Sequence, residues 1–234
     1  MTPDMDESAR ILTRMLRERK PFFFARIGDG AIELLSGKPG KTCDGEEYSP
    51  ELADQIWDVL DALEDSHAWL GDWRTATNGS PPRLMDSWLI KVIPTEKRLL
   101  HFEALLLNRE SDALVDFYRA VREDTRRKMH LGQDTPSRET ADFLCAHHQW
   151  MTCPRGGVYD ELGDIVAAIE SAAPDVLLFG AGLAGLVAAV RYWVKHPDST
   201  CIHLGSALDP LFFGKTRNGQ LSQYKCMEMF KDML

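Results

Sequence analysis

Apolar positions fall along this chain in two alternating modes, helical spacing and short unbroken runs. Ile11, Leu12, Met15 and Leu16 recur at helical intervals and predict a helix over Asp6 to Arg19. The run Phe22 to Ile27 has the length and aromatic content of a buried strand on which that helix packs. Ser49-Pro50-Glu51-Leu52 combines a capping serine, a proline in the first turn and an acid at the positive end of the dipole, so a helix is expected from there to about Leu63. His67 to Leu70 reads as a strand, and Gly71 to Arg83, with its Asn-Gly-Ser-Pro-Pro, as an irregular loop. From Lys97 the alternation is regular. Strands are expected at Leu99 to Phe102, Arg127 to Leu131, Gln149 to Thr152, Asp175 to Phe179 and Thr200 to Leu204. Helices are expected at Glu103 to Arg122, Ser137 to Ala146, Tyr159 to Ala172 and Leu183 to Lys195.

Strands that alternate with helices imply an α/β fold: a mainly parallel, doubly wound sheet with helices on both faces. Neither a repeat nor an interdomain linker divides the chain, so a single domain over 1–234 is expected. Ligands of such sheets bind outside the carboxyl ends of the strands, near a switch in strand order. Gly28-Asp29, Gly132-Gln133, Gly180-Ala181 and Gly205-Ser206 all fall at expected strand ends.

Composition narrows the partners. The 234 residues are 44% hydrophobic and 27% charged with a net charge of -9, enough for an ordinary core and without general attraction to nucleic acid or anionic membranes. Arg122, Arg126, Arg127 and Lys128 form the one dense basic run, read as a solvated helix end or a site for a phosphate on an acceptor. No apolar run approaches the roughly 20 residues of a membrane span, and Met1 to Arg19 is amphipathic rather than signal-like, so a soluble cytoplasmic protein is expected. Cys43, Cys145, Cys153, Cys201 and Cys226 are scattered and never in a CxxC pair, which suits buried reduced thiols better than a disulfide framework or a zinc site.

Three segments carry candidate chemistry. In Phe22-Phe23-Phe24-Ala25-Arg26-Ile27-Gly28-Asp29-Gly30 an apolar strand ends in an arginine, two glycines and a carboxylate, with Glu33 following. If a helix begins at Gly30, Asp29 and Glu33 share a face, and with Arg26 they make a place for a metal ion and a phosphate. Gly180-Ala181-Gly182-Leu183-Ala184-Gly185 matches GxGxxG between a strand and a helix, the context of a dinucleotide fingerprint. The next strand ends in Gly205-Ser206 without the acid that binds a ribose, so tight helix–strand packing with one phosphate at the helix N-terminus is the simpler reading. Finally Gly205-Ser206-Ala207-Leu208-Asp209-Pro210 and Gly214-Lys215-Thr216-Arg217 place small residues, an aspartate and two cations after the last strand, a pattern that suits an anion with hydroxyls nearby and equally a solvated C-terminal loop.

Together these segments resemble the GT-D type of glycosyltransferase, a family with a nucleotide-sugar site on a Rossmann-like sheet. Arg26-Ile27-Gly28-Asp29-Gly30 is similar to that family's Arg-Phe-Gly-Asp-Gly-Glu, and Gly180-Ala181-Gly182 and Gly205-Ser206-Ala207-Leu208-Asp209 follow in the family's order. The resemblance implies transfer of a sugar from a nucleotide donor, UDP-linked, to an acceptor hydroxyl on a glycan, glycoprotein, small molecule or nucleic acid. It implies Mn²⁺ or Mg²⁺ on Asp29, contacts to the donor from Arg26, Gly28, Gly30, Gly180, Gly182, Ser206, Lys215 and Arg217, and catalytic roles for Asp29, Glu33 and Asp209. Where the family's Asp-x-Glu has its glutamate this chain has Ala31, so Glu33 one turn on, or the diphosphate itself, completes the metal site, or the metal is dispensed with. As base for the acceptor hydroxyl Asp209 stands first, with Glu103 and His101 as alternatives.

A literal Asp44-Gly45-Glu46 precedes a helix start instead of closing a strand and reads as a lead-in loop. Trp69, Trp73 and Trp88 are read as core, or else as a stacking platform, and His147-His148 as a surface pair. Nucleophile elbow, HExxH and Walker sequences are absent. Two rivals remain: an NAD(P)-dependent oxidoreductase using Gly180 to Gly185, and a non-catalytic nucleotide-sugar-binding module suggested by Ala31.

Overall fold

Seven strands of the described residues pair edge to edge, every pair parallel, in the order β3-β2-β1-β7-β6-β4-β5. They are β1 (Phe22–Ala25), β2 (Trp69–Asp72), β3 (Arg98–His101), β4 (Lys128–Gly132), β5 (His148–Thr152), β6 (Val176–Phe179) and β7 (Thr200–His203). The helices are α1 (Met5–Arg17), α2 (Asp29–Leu35), α3 (Pro50–Glu64), α4 (Asp112–Glu123), α5 (Leu162–Ala172), α6 (Gly182–Lys195), α7 (Asp209–Phe213) and α8 (Gln223–Met229). The structure, a computed structural model, describes residues 2–42, 45–64, 66–72, 75, 98–133, 148–153, 156, 159–215 and 219–233, without the side chains of Asp29, Glu64 and His148. The expected helix Ser137 to Ala146, most of the loop Gly71 to Arg83, and Cys43, Asp44, Trp73, Trp88, Cys145, His147 and Arg217 lie outside the described residues.

The unbroken apolar runs are explained by burial on both faces. The pleat divides β1: Phe23 and Ala25 enter a core with α2, α3, α5 and α6, while Phe22 and Phe24 enter the opposite core with α1, α4, α7 and α8. Helix starts follow their capping side chains. Asp4 accepts from Glu7 N at 2.8 Å, Ser49 from Leu52 N at 3.1 Å and Ser111 from Leu114 N at 3.3 Å. Cys153, Cys201 and Cys226 are buried free thiols, and burial pushes the first two up to about 12. Among the described residues no helix is long and apolar enough to cross a membrane.

Several boundaries differ from the sequence reading. The helix expected from Glu103 begins only at Asp112. Residues 103–111 are held instead by tertiary bonds: Asn108 donates to Glu103 Oε2 at 3.0 Å, Arg109 and Ser111 donate to Asp6 at 3.0 and 2.8 Å, and Leu105 O accepts from the Tyr118 hydroxyl at 2.7 Å. These partners override a helix-permissive sequence. β2 runs two residues later than expected, through Gly71 and Asp72, because it pairs over its whole length with β3. β1 ends at Ala25 instead of Ile27, α2 opens at Asp29 instead of Gly30, and α5 opens at Leu162, after a turn at Tyr159.

The basic run is also corrected. Lys128 is buried, 6% exposed, and its ammonium donates to the carbonyls of Val121 at 2.9 Å, Arg122 at 3.2 Å and Asp124, closing the C-terminal end of α4. Arg126 pairs with Asp124 at 2.7 Å and Arg127 with Asp175 at 3.4 Å. These charges serve the fold at the amino edge of the sheet.

The sheet's switch lies between neighbours β1 and β7. After β1 the chain passes to α2, whose Ala31 and Leu34 lie in the first core; after β7 it passes to α7, whose Leu211 and Phe212 lie in the second. The chain therefore leaves the two strands in opposite directions and opens a crevice at their carboxyl ends.

Candidate functional site at the β1/β7 switch

Arg26 stands at the mouth of this crevice. Its backbone N–H donates to Nδ1 of His203, the last residue of β7, at 3.2 Å, and its Nη1 donates to Leu204 O at 3.0 Å. Its Cζ lies 4.5 Å from the centroid of the Phe102 ring, a cation–π contact. Two glycines make room for it. A Cβ at Gly71 would lie 3.3 Å from Arg26 Cγ, and one at Gly205, where φ is +57°, would lie 3.1 Å from Nη1. The guanidinium is thus slotted between Phe102 and the backbone after β7, and Arg26 as a residue is half-buried.

His203 is partly buried, and its ring stacks on Phe179 with centroids 4.7 Å apart and planes 13° apart. Burial, reinforced by the neighbouring Arg26 charge, pushes its pKa down to about 3, so the imidazole is neutral. Since Nδ1 accepts from Arg26, the proton is assigned to Nε2.

The GxGxxG glycines serve close packing. A Cβ at Gly180 would sit 2.5 Å from Gly205 O, and one at Gly185 would sit 2.9 Å from Ala181 Cβ. Gly182, with φ of +65°, opens the 14-residue α6. Gly205 therefore touches Gly180 on one side and Arg26 on the other. Gly180→Ala is expected to force the two loop backbones apart and lower stability by about 2 kcal/mol, a drop of roughly 6 °C in thermal unfolding midpoint. An unchanged midpoint would contradict this packing role.

The other candidate residues divide. Gly28 is the residue before α2, and open space surrounds the position of its absent Cβ. Asp29 follows as the first residue of α2. A Cβ at Gly30 would lie 3.6 Å from Thr42 Cγ2 and 3.8 Å from the Tyr48 hydroxyl, and Glu33, exposed, accepts from that hydroxyl at 3.1 Å. These two thus turn toward the α2–α3 connection. Ala31 is fully buried at 0% exposure, so the family's glutamate position faces the core here, and a carboxylate there would be desolvated. Ser206 O accepts from Gln220 Nε2 at 2.7 Å, and Leu221 N donates to Leu107 O at 2.8 Å, which folds the late loop back over the same edge. Asp209 opens α7 three residues beyond Ser206, its N–H donating to Ser206 O at 3.2 Å. Lys215 is exposed, with Nζ 5.7 Å from the Phe213 ring centroid.

His101 and Glu103 do not present themselves to the crevice. His101 Nδ1 accepts from Glu103 N at 3.1 Å, Glu103 accepts from Asn108, both residues are buried, and burial pushes the His101 pKa down. Glu46 is buried and accepts from Tyr159 N at 3.1 Å, which makes the glutamate of Asp44-Gly45-Glu46 a structural link in the lead-in loop. Trp69 is the first residue of β2, at the edge opposite the crevice, with Arg98 Cζ 5.4 Å from its ring centroid. His203 and Phe102 were not singled out in the sequence. The one signal was a histidine ending an otherwise apolar strand two residues before a glycine, and only the strand order gives it meaning.

No family model matches the sequence, and the curated proteins contain no match to it. Solved structures with similar folds include one described as a new glycosyltransferase (DUF1792) from Streptococcus sanguinis, with a TM-score of 0.59 and 16% identity over 97% of this chain and 84% of that one. A selenomethionine-substituted structure of domain of unknown function 1792 gives a TM-score of 0.58 and 14% identity over 97% of this chain and 86% of that one. At such identities the likeness is one of fold, and it extends over nearly the whole chain.

Proposed function

We propose that this chain is a glycosyltransferase that moves a sugar from a nucleotide-sugar donor, UDP-linked, to an acceptor hydroxyl. The observation that carries the reading is Arg26, a slotted guanidinium at the β1/β7 switch of a fold shared with a protein described as a glycosyltransferase. When the glycosidic C–O bond breaks, its electron pair stays on the departing nucleoside diphosphate, and negative charge grows there. Arg26 offers that charge planar donors, the N-terminus of α6 adds the positive end of its dipole, and Lys215 and Arg217 are the further cations proposed to contact the diphosphate. Asp209 takes the proton of the acceptor hydroxyl as its oxygen attacks the sugar carbon.

The residues suit a divalent metal held partly by substrate. Mg²⁺ and Mn²⁺ prefer oxygen ligands, commonly one or two carboxylates plus substrate phosphates. Asp29 at the start of α2 and exposed Glu33, which accepts from a neutral phenol, would hold it, and among the described residues no group of three His, Cys, Asp or Glu side chains offers a complete cage. Bound there, the ion would supply further neutralisation of the diphosphate.

Incubation with a panel of nucleotide sugars and Mn²⁺ is expected to release UDP, and UDP is expected to raise the melting temperature where NAD(P) does not. Absence of both turnover and binding across the panel would overturn the proposal; binding without turnover would identify a non-catalytic module, and an NAD(P) response alone an oxidoreductase.

A further inference from the structure

From β7 through β6 and β4 to β5, neighbouring segments stay joined past the ends of their strands by backbone hydrogen bonds. Leu204 N and Gly205 N both donate to Phe179 O, at 2.8 and 3.3 Å; Gly180 N donates to Leu131 O at 2.8 Å, and Cys153 N to Gly132 O at 2.7 Å. Between β7 and β1 a side chain enters this pattern instead: the N–H of Arg26 is taken by His203 Nδ1 at 3.2 Å, as the N–H of Phe102, just past β3, is taken by Thr75 Oγ1 at 2.9 Å. An imidazole in place of a carbonyl satisfies the buried donor while ending the ladder, so the backbones after Arg26 and after His203 can part. Its ring is fixed in turn on Phe179, and Arg26 is fixed a second time by Leu204 O and Phe102.

We infer that His203 is the positioning residue of the site: by accepting from the Arg26 backbone it opens the crevice and aims the guanidinium at the donor diphosphate. The inference rests on the function proposed above. His203 acts through Arg26 and does not touch the reacting atoms. Its depressed basicity keeps Nδ1 an acceptor at neutral pH.

The test compares His203→Phe, which keeps a ring on Phe179 without the acceptor, with His203→Asn, whose amide oxygen restores one near Nδ1. UDP affinity by calorimetry and the hydrogen-exchange rate of the Arg26 amide are read together. His203→Phe is expected to weaken UDP about tenfold and to speed Arg26 exchange, and His203→Asn to bind UDP within about threefold of the parent. Unchanged affinity and exchange in His203→Phe, or equal losses in both variants, would overturn the inference while leaving the functional proposal in place. If the parent binds no nucleoside diphosphate, the functional proposal falls, and Arg26 exchange alone decides the positioning role, faster in His203→Phe supporting it and unchanged overturning it. Should His203→Phe not fold, ¹⁵N NMR of the parent imidazole decides: an Nε2-protonated ring coupled through Nδ1 to the Arg26 amide is expected, and an Nδ1-protonated ring would refute it.

Discussion

Arg26→Ala is expected to lower kcat/KM for the donor by about 10²- to 10³-fold, the cost of removing one charge-assisted contact from a partly desolvated transition state. Much of the guanidinium's ordering is accomplished by the fold itself, through Leu204 O at 3.0 Å and Phe102 at 4.5 Å, so little entropy remains to be lost when a diphosphate arrives. Lysine cannot substitute. A single ammonium on a flexible stem would lose both the planar cation's contact with the Phe102 ring and the fork that can span Leu204 O and a phosphate, so Arg26→Lys is expected to recover less than a tenth of the lost rate. Steady-state kinetics with circular dichroism as a control for folding would measure this. An Arg26→Ala enzyme with parental kcat/KM would remove Arg26 from the site and leave the functional proposal without its main support.

What the sequence made legible was order, and what it hid was adjacency. The alternation from Lys97 onward established parallel strands and two helical layers, since a strand such as Val176 to Phe179 can be wholly apolar only if both faces are covered. Arg26, Gly28 and Asp29 could be placed at a strand end because the glycines interrupt an aromatic run. Nothing in the linear pattern indicated that β7, 175 or more residues later, would lie directly beside β1, yet that pairing turns His203 from the end of a buried strand into the partner of Arg26. Burial direction was hidden for the same reason. Residues 31 and 33 are separated by about 200° on a helix, so one faces the core and the other solvent, and only the packing of α2 against α3 decides which. The outcome gives the departure at Ala31 a physical cause: in this chain a carboxylate two residues after Asp29 would be buried, and one four residues after is not.

Acid stability should carry the mark of His203. An ordinary histidine in the unfolded chain takes up its proton near pH 6.5, whereas burial beside Arg26 holds the folded His203 neutral down to about pH 3. Between these values the unfolded state binds one proton more than the folded state, so stability rises with pH, or equivalently falls as the solution is acidified, by about 1.4 kcal/mol per pH unit. Above the unfolded value both states are neutral and the contribution vanishes. His101, also depressed by burial, adds loss of the same sign. The carboxylates of Asp6, lowered by its hydrogen bonds from Ser111 and Arg109, and of Asp124 and Asp175, lowered by Arg126 and Arg127, begin to matter only as pH approaches the ordinary carboxylate range. The acid limb is therefore expected to start near pH 6.5, well before the carboxylates titrate, and to cost about 3 kcal/mol by pH 4.5 from His203 alone. Urea unfolding from pH 8 to pH 4.5 would trace it, with His203→Asn as the comparison: its curve should be flatter than the parent's by close to one proton. A parent curve with no slope between pH 6.5 and pH 5 would mean that His203 is protonated in the folded state, and an imidazolium could not accept the Arg26 amide.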